Sequence, residues 1–167
     1  FELIMGPTCS IIYENEPMEK NTMLQKLRPF TSTFFNWKEL TTSIIQGLMI
    51  TAGNLVAYQY AIHKGYDEQT TRSMVFTVLI TSNIILTLVN RSFYYSILTT
   101  LKYKNNLVLL IISITILITA ILMYVKPLAN FFELKGLTLA QLGISVLIGF
   151  VFVIWFELVK WRNRRSK

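Results

Sequence analysis

Residues that commonly build soluble catalytic sites are scarce in this chain of 167 residues. Cys9 is the only cysteine, so the chain can form neither an internal disulfide nor a cysteine-rich metal site. His63 is the only histidine, which excludes a histidine-based metal cluster or catalytic triad. No glycine-rich phosphate loop is present either. Nothing in the sequence predicts that this chain hydrolyses or transfers a group on its own.

Apolar residues, in contrast, are abundant and lie in long blocks. They make up 53% of the chain, and the mean hydropathy is +0.48. Each block is close to the ~20 residues that cross hydrocarbon as a helix, and none shows the period-two alternation of a β-barrel strand. The four complete blocks are residues 40–62, 73–94, 107–125 and 139–159. The predicted fold is therefore all-α: an integral membrane bundle of four complete transmembrane helices plus the end of a preceding one.

The positions of the basic residues predict how the bundle is oriented. Of the 16 lysines and arginines, twelve lie in the first loop, around the third gap and in the tail, and four lie in the other two gaps. Since cytoplasmic loops carry the excess of Lys and Arg, the loop and the C-terminus are expected to be cytoplasmic. We divide the chain into the end of a helix (1–13), a cytoplasmic loop (14–39), a four-helix transmembrane domain (40–159) and a basic cytoplasmic tail (160–167). The same pattern explains the net charge of +7 without a nucleic-acid partner.

The first apolar segment contains a carboxylate and a helix break. An ionised Glu2 at the bilayer centre would cost at least ~2.5–3.5 kcal/mol, so such a residue normally faces a bundle interior or an ion path. Pro7, after Gly6, has no N–H and would leave the Leu3 carbonyl without its helical donor. Carboxylate and carbonyl oxygens suit a hard cation. The alternative is that Glu2 lies at the interface and that the Gly-Pro pair only kinks the helix.

Polar and small residues inside the complete blocks have two possible uses. Asn83 could offer its amide oxygen to an ion, or it could form an interhelical hydrogen bond of ~0.6–2 kcal/mol. Gly53 and Ala57 form a small-xxx-small pair that lets another helix approach. Glu157 is expected to pair with Lys160 at i,i+3. Three further amides are expected to bond across helices: Gln46, Asn54 and Gln59.

Several segments of the chain resemble the C-terminal transmembrane region of P-type cation-transporting ATPases of the calcium-pump type, in their bacterial form. "FELIMGPTCSIIYENEP" resembles the end of the sixth helix and the following loop, and "VLITSN" resembles the eighth helix. "YVKPLANFFELKGLTLAQ" and "FELVKW" resemble the ninth-to-tenth loop and the tenth helix. The resemblance covers essentially all 167 residues. It implies that the chain runs from within helix six through helix ten of a longer pump.

The resemblance also assigns candidate ion ligands. The sixth helix of the family carries Asn-x-x-Thr-Asp, and here Glu2, Met5 and Gly6 fall at the Asn, Thr and Asp positions. Asn83 falls where calcium pumps of animal reticulum have a glutamate. The missing acids depart from two-ion calcium binding. The resemblance therefore implies Glu2 and Asn83 as ligands of one cation, with the Leu3 carbonyl as a weaker candidate beside the Gly6-Pro7 break.

The rest of the pump would lie outside this chain. The phosphorylation motif Asp-Lys-Thr-Gly-Thr and the nucleotide and actuator motifs are absent, so the fragment alone has no cofactor, whereas the longer protein would use ATP and Mg²⁺. The resemblance implies that loop residues contact its phosphorylation domain: Glu14, Glu16, Glu19 and Lys20. The implied role is the C-terminal membrane domain of an ATP-driven cation pump in a bacterial plasma membrane, packed against the upstream helices. The alternatives are a solvated loop and, for the whole chain, a free-standing, non-enzymatic four-helix protein for assembly or passive ion permeation.

Overall fold

A computed structural model describes residues 37–91 and 106–165, together with positions 10, 11 and 14; side chains at 38, 39 and 163–165 are not part of the description. This part of the chain forms helices and no strand. The helices are α1 (Trp37–His63), α2 (Glu68–Asn90), α3 (Asn106–Tyr124), α4 (Lys126–Phe131) and α5 (Leu139–Arg165). The predicted all-α fold is confirmed.

Four of these helices are long and apolar enough to cross a membrane. The spans are Leu40–His63, Glu68–Asn90, Asn106–Tyr124 and Leu139–Arg162, of 24, 23, 19 and 24 residues. About 20 residues at 1.5 Å each cross a hydrocarbon core of ~30 Å. The prediction of an integral membrane helical bundle is therefore confirmed. The end of the preceding helix, predicted at 1–13, lies outside the described residues except for positions 10 and 11.

The turn between α1 and α2 is shorter than the apolar pattern predicts. Gly65 has φ +70, a left-handed conformation that suits glycine, and its N–H donates to the carbonyl of Ile62. The chain re-enters a helix at Glu68, five residues before the predicted start at 73. Thr70 donates its hydroxyl hydrogen bond to the Asp67 carboxylate at 2.6 Å in this first turn. The apolar block predicted only the part of α2 that hydrocarbon surrounds. The first turn of α2 is polar, so hydropathy did not include it.

A short helix, α4, lies in the predicted loop after the third span. Pro127 is in its first turn, where a missing N–H breaks no helical bond. The helix ends at Phe131, and Glu133 follows with φ 52. Because α4 has only six residues, no hydrophobic period was long enough to predict it.

Helices α1, α2 and α5 pack against one another, whereas α3 is attached mainly to α4. A Cβ added at Gly149 of α5 would lie 3.0 Å from the carbonyl oxygen of Val78 on α2. Ser82 on the same surface donates to the Gly149 carbonyl at 3.5 Å. A Cβ at Gly53 of α1 would lie 3.1 Å from Phe152 Cγ, and Ala57 is fully buried. The small-residue prediction is therefore confirmed, with α5 as the approaching helix.

The end of the bundle at loops 64–67 and 125–138, here called the loop end, is joined by polar contacts. The Lys135 backbone N–H donates to Ser73 Oγ at 2.8 Å, and Lys135 Nζ lies 3.2 Å from Asp67 Oδ2. Arg72 pairs with both Glu68 and Glu133. The Thr70 hydroxyl, and then Lys135, hold the pKa of Asp67 below its ordinary value. These ion pairs are exposed and add little stability individually, but they fix the loop after α4 to the start of α2.

The close approach at Gly149 predicts a sharp difference between two glycines of α5. Gly149→Ala should destabilise the bundle by about 1–3 kcal/mol, the typical result of overpacking, because the obstructing Val78 oxygen is backbone. Gly143→Ala is the matched control: nothing lies within 4 Å of its added methyl, and alanine favours a helix by roughly 0.5–1 kcal/mol. Thermal unfolding of the protein that carries this chain, in detergent, measures both. An equal or higher midpoint for Gly149→Ala would contradict the described contact.

Candidate functional site

Most of the candidate residues near the start of the chain lie outside the described residues, so their roles stay predictions. They are Glu2, Leu3, Gly6 and Pro7 of the first segment, and Glu16, Glu19 and Lys20 of the loop. Glu14 is described as helical and exposed, which does not test its predicted contact with another domain. The structure therefore tests the candidate site through the transmembrane residues, chiefly Asn83.

Asn83 is half-buried in the second half of α2. Its Nδ2 donates to the Leu79 carbonyl at 3.0 Å, four residues earlier in the same helix. Its own carbonyl accepts the Thr87 hydroxyl hydrogen bond at 2.9 Å. Among the described residues, none donates to Asn83 Oδ1. The amide nitrogen of Asn83 is thus bonded within its own helix, whereas its amide oxygen is left for another partner, such as a cation.

Asn83 belongs to a polar face of α2 that turns toward α1. Thr87 and Asn90 follow at i+4 and i+7, which places all three on one side of the helix. Asn90 exchanges two hydrogen bonds with the buried Gln46 of α1: Gln46 Nε2 donates to Asn90 Oδ1 at 3.1 Å, and Asn90 Nδ2 donates to Gln46 Oε1 at 3.3 Å. The prediction that Gln46 bonds across helices is confirmed. This pair also sets the register of the antiparallel helices α1 and α2.

The same prediction is wrong for Asn54. Its Nδ2 donates to the Ile50 carbonyl of its own helix at 3.0 Å, and its buried Oδ1 has no hydrogen-bond partner in the described structure. The reason is local: the carbonyl four residues earlier in α1 lies within reach of the Asn54 amide, and this bond inside α1 replaces the expected bond across helices. Gln59, the third amide, is exposed, and the described contacts include no bond from it to another helix.

The register places Asn54 and Asn83 at a similar depth. Asn54 lies eight residues after Gln46, and Asn83 lies seven residues before Asn90. At 1.5 Å per residue, both are roughly 11–12 Å from the Gln46–Asn90 pair along antiparallel helices. Each keeps an amide oxygen in the middle of a membrane-spanning helix. Ca²⁺ requires 6–8 oxygen ligands, so these residues alone cannot complete a cation site.

The described part of the chain offers no cluster of metal-binding side chains. It contains no group of three or more histidine, cysteine, aspartate or glutamate residues placed to hold a metal. A cavity of about 440 Å³ opens between α2, α3 and α5, but its lining is almost entirely apolar. Two of its threonines, Thr77 and Thr119, donate to carbonyls of their own helices. The cavity therefore has no ion-binding character.

Lys160 ties α5 to α2 at the opposite end of the bundle from the loop end, here called the basic end. Its side chain is only 2% exposed, and Nζ lies 3.0 Å from Glu157 Oε1. Nζ also donates to the carbonyl of Val89, in the last turn of α2. That carbonyl is one of the last four, which lack a helical donor, and a cation there complements the helix dipole.

The predicted Glu157–Lys160 pair is thus confirmed, whereas the contact of Lys160 with the end of α2 was not predicted from the sequence. The sequence places Lys160 at the start of a basic cytoplasmic tail, whereas in the structure it lies within α5, which continues to Arg165. A signal was present: Lys160 lies four and seven residues after Phe156 and Val153, and both are buried. That spacing places Lys160 on the packed face of α5.

Replacing Lys160 should show how strongly it is coupled to Glu157 and to the end of α2. Lys160→Met leaves the Glu157 carboxylate and the Val89 carbonyl without their donor, and breaking a buried pair typically costs about 3–5 kcal/mol. Lys160→Met combined with Glu157→Leu should recover a large part of the loss, because no unpaired charge remains. Unfolding midpoints of the single and double variants give the coupling energy, and the exposed Lys126→Met is the control. Additive effects of the two substitutions would show that the pair is not coupled.

The chain matches the family model described as "Cation transporting ATPase, C-terminus" over residues 1–162. A search of curated proteins finds no match to the chain. The family match includes α1 to α4 and nearly all of α5, and thus all four spanning helices. It confirms the resemblance to cation-transporting ATPases that the sequence motifs indicate. The chain therefore belongs to the family of C-terminal membrane domains of cation-transporting ATPases.

Proposed function

We propose that this chain supports and partly lines the ion path of an ATP-driven P-type pump that transports calcium or another small cation. The observation that carries the proposal is Asn83, whose amide donates within its own helix and whose oxygen accepts no described hydrogen bond. An oxygen at this depth of a spanning helix suits a partly dehydrated cation. Membership of the family supplies the class of cargo.

The remaining ligands would come from other helices. The sixth helix would contribute Glu2 and the Leu3 carbonyl, which the Gly6-Pro7 break frees. Since the described part offers two neutral amide oxygens at this depth, most of the negative charge around the ion must come from Glu2 and from upstream helices. A single carboxylate here favours binding of one cation through this chain.

The energy for transport would come from domains outside this chain. In this proposal ATP and Mg²⁺ bind to upstream domains, and the loop residues Glu14, Glu16, Glu19 and Lys20 contact the phosphorylation domain. The loop 14–39 and the C-terminus are cytoplasmic, in a bacterial plasma membrane, as the distribution of basic residues favours. The family match does not favour the alternative of a free-standing assembly or permeation protein.

Ion-stimulated ATPase activity tests the ligand roles. In the protein that carries this chain, Asn83→Ala should raise the cation concentration for half-maximal stimulation about tenfold, equivalent to ~1.4 kcal/mol of binding. Glu2→Gln should raise it further and flatten its dependence on pH, because the titrating ligand is gone. Gln59→Ala is the control, since it removes an exposed amide of a spanning helix that makes no described bond to another helix. Unchanged half-stimulation in both ligand variants, with Ca²⁺ and with Mn²⁺, would refute the proposal.

The size of the native polypeptide separates the pump from its alternative. An antibody against the terminal sequence KWRNRRSK should detect a band several times larger than the 19.3 kDa of this chain in source membranes. The upstream phosphorylation and nucleotide domains account for the difference. A single band near 19.3 kDa would mean a free-standing membrane protein.

A further inference from the structure

Asn54 of α1 carries a side-chain oxygen that lies buried without a hydrogen-bond partner in the described part of the chain. Its Nδ2 donates to the Ile50 carbonyl of the same helix at 3.0 Å, so the amide nitrogen is bonded and the oxygen is not. Buried polar atoms in folded proteins nearly always have a partner, and an exception calls for an explanation. The partner of this oxygen must come from outside the described residues.

Helix α5 lies against one side of the α1–α2 pair, and one residue on each helix marks that side. On α1, a Cβ added at Gly53 would lie 3.1 Å from Phe152 Cγ of α5. On α2, the Ser82 hydroxyl donates to the Gly149 carbonyl of α5 at 3.5 Å. Gly53 and Ser82 therefore both face α5.

The two asparagines directly follow these residues: Asn54 comes after Gly53, and Asn83 comes after Ser82. One step along an α-helix is a rotation of about 100° around its axis. Because α1 and α2 are antiparallel, the two rotations have opposite senses when seen from one end of the bundle. Both therefore carry the side chain across the seam between α1 and α2 and away from α5. Asn54 and Asn83, already placed at a similar depth, thus lie on the same side of this seam.

The chemistry of this side of the seam favours a cation. Polar groups within spanning helices are costly in lipid and normally face a bundle interior or an ion path. Among the described residues, none donates to the oxygen of Asn54 or of Asn83. Both amide nitrogens are bonded inside their own helices, which leaves two acceptors at one depth. A cation binds several oxygens at once, whereas one hydrogen-bond donor would satisfy only one of them.

We propose that Asn54 is a ligand of the transported cation and that its oxygen and the Asn83 oxygen contact the same ion from neighbouring helices. This inference rests on the proposed function, since it requires that the ion path follow the α1–α2 seam. It adds α1 to the helices that contribute ligands. Both oxygens from these helices are neutral, so the negative charge at the ion still comes from Glu2 and from upstream helices.

Cation-stimulated ATPase activity of the full-length protein, with Ca²⁺ and Mn²⁺ as probes, tests this role. Asn54→Leu keeps the shape of the side chain without its oxygen and should raise the half-stimulating concentration about tenfold, equivalent to the loss of one ligand, while the maximal rate changes little. Asn54→Asp should keep this concentration within about twofold of the parent value or lower it, because a carboxylate supplies oxygens that both cations bind. Gln59→Leu is the control, since it removes an exposed amide of the same helix.

Thermal unfolding in detergent separates a cation ligand from a structural hydrogen bond. Asn54→Leu removes a buried oxygen that has no described partner, so its midpoint without added cation should equal or exceed that of the parent protein. The rise in midpoint that the cation gives the parent should shrink in this variant. A lower midpoint without cation, together with unchanged half-stimulation, would mean that Asn54 accepts a hydrogen bond from an upstream helix and would overturn the proposal. Equal weakening of cation stimulation by Asn54→Leu and Asn54→Asp would overturn it as well.

Asn83→Ala, measured in parallel, distinguishes the role of Asn54 from the proposed function. If Asn83→Ala raises the half-stimulating concentration and Asn54→Leu does not, the pump and its Asn83 ligand stand and only the role of Asn54 is wrong. If neither Asn83→Ala nor Glu2→Gln changes this concentration, the proposed function fails and the role of Asn54 fails with it.

Discussion

The close approach of α2 and α5 at Gly149 sets the arrangement of the remaining helices. In a bilayer, lipid tails are as apolar as leucine, so helices associate where small residues permit backbone contact. With Gly149 against the Val78 carbonyl, α5 can take only one rotation about its axis. That rotation turns Val153, Phe156 and Lys160 inward and brings Lys160 to the end of α2. The same rotation leaves Leu158 and Arg162 exposed.

Polar side chains inside the spans are satisfied mainly within their own helices. Threonine hydroxyls donate to carbonyls four residues earlier: Thr77, Thr87, Thr115 and Thr119. An asparagine that donates in this way keeps its amide oxygen, and both Asn54 and Asn83 do so. A buried oxygen without a partner costs about 1–3 kcal/mol. Of the two, only the Asn54 oxygen is buried without a partner, and a donor or a cation from an upstream helix would recover this energy.

The sequence predicted the spanning helices well because block length and hydrocarbon thickness are physically linked. It missed the first turn of α2 and all of α4, since hydropathy detects only the part of a helix that lipid surrounds. Asn83 stood out as a polar residue in an apolar block, and Gln46 was correctly expected to bond across helices. Whether an amide bonds within or across helices depends on what the neighbouring helix offers: Gln46 meets Asn90 of α2, whereas Asn54 donates to Ile50 of its own helix. The rotation of one helix against another decides this, and no local sequence pattern contains it.

Polar contacts join helices α1, α2 and α5 at both ends of the bundle, and these contacts limit how the helices can move in a pump. Gln46–Asn90 and Lys160–Val89 join them at the basic end, and Lys135 joins the loop after α4 to Ser73 at the loop end. Sliding α2 along α5 by one turn, about 5.4 Å, would break the contacts at both ends together. We infer that the three helices move as one unit and that the Asn83 oxygen stays fixed within it. Under the proposed function, changes in ion affinity during the cycle would then arise from upstream helices moving toward or away from this oxygen.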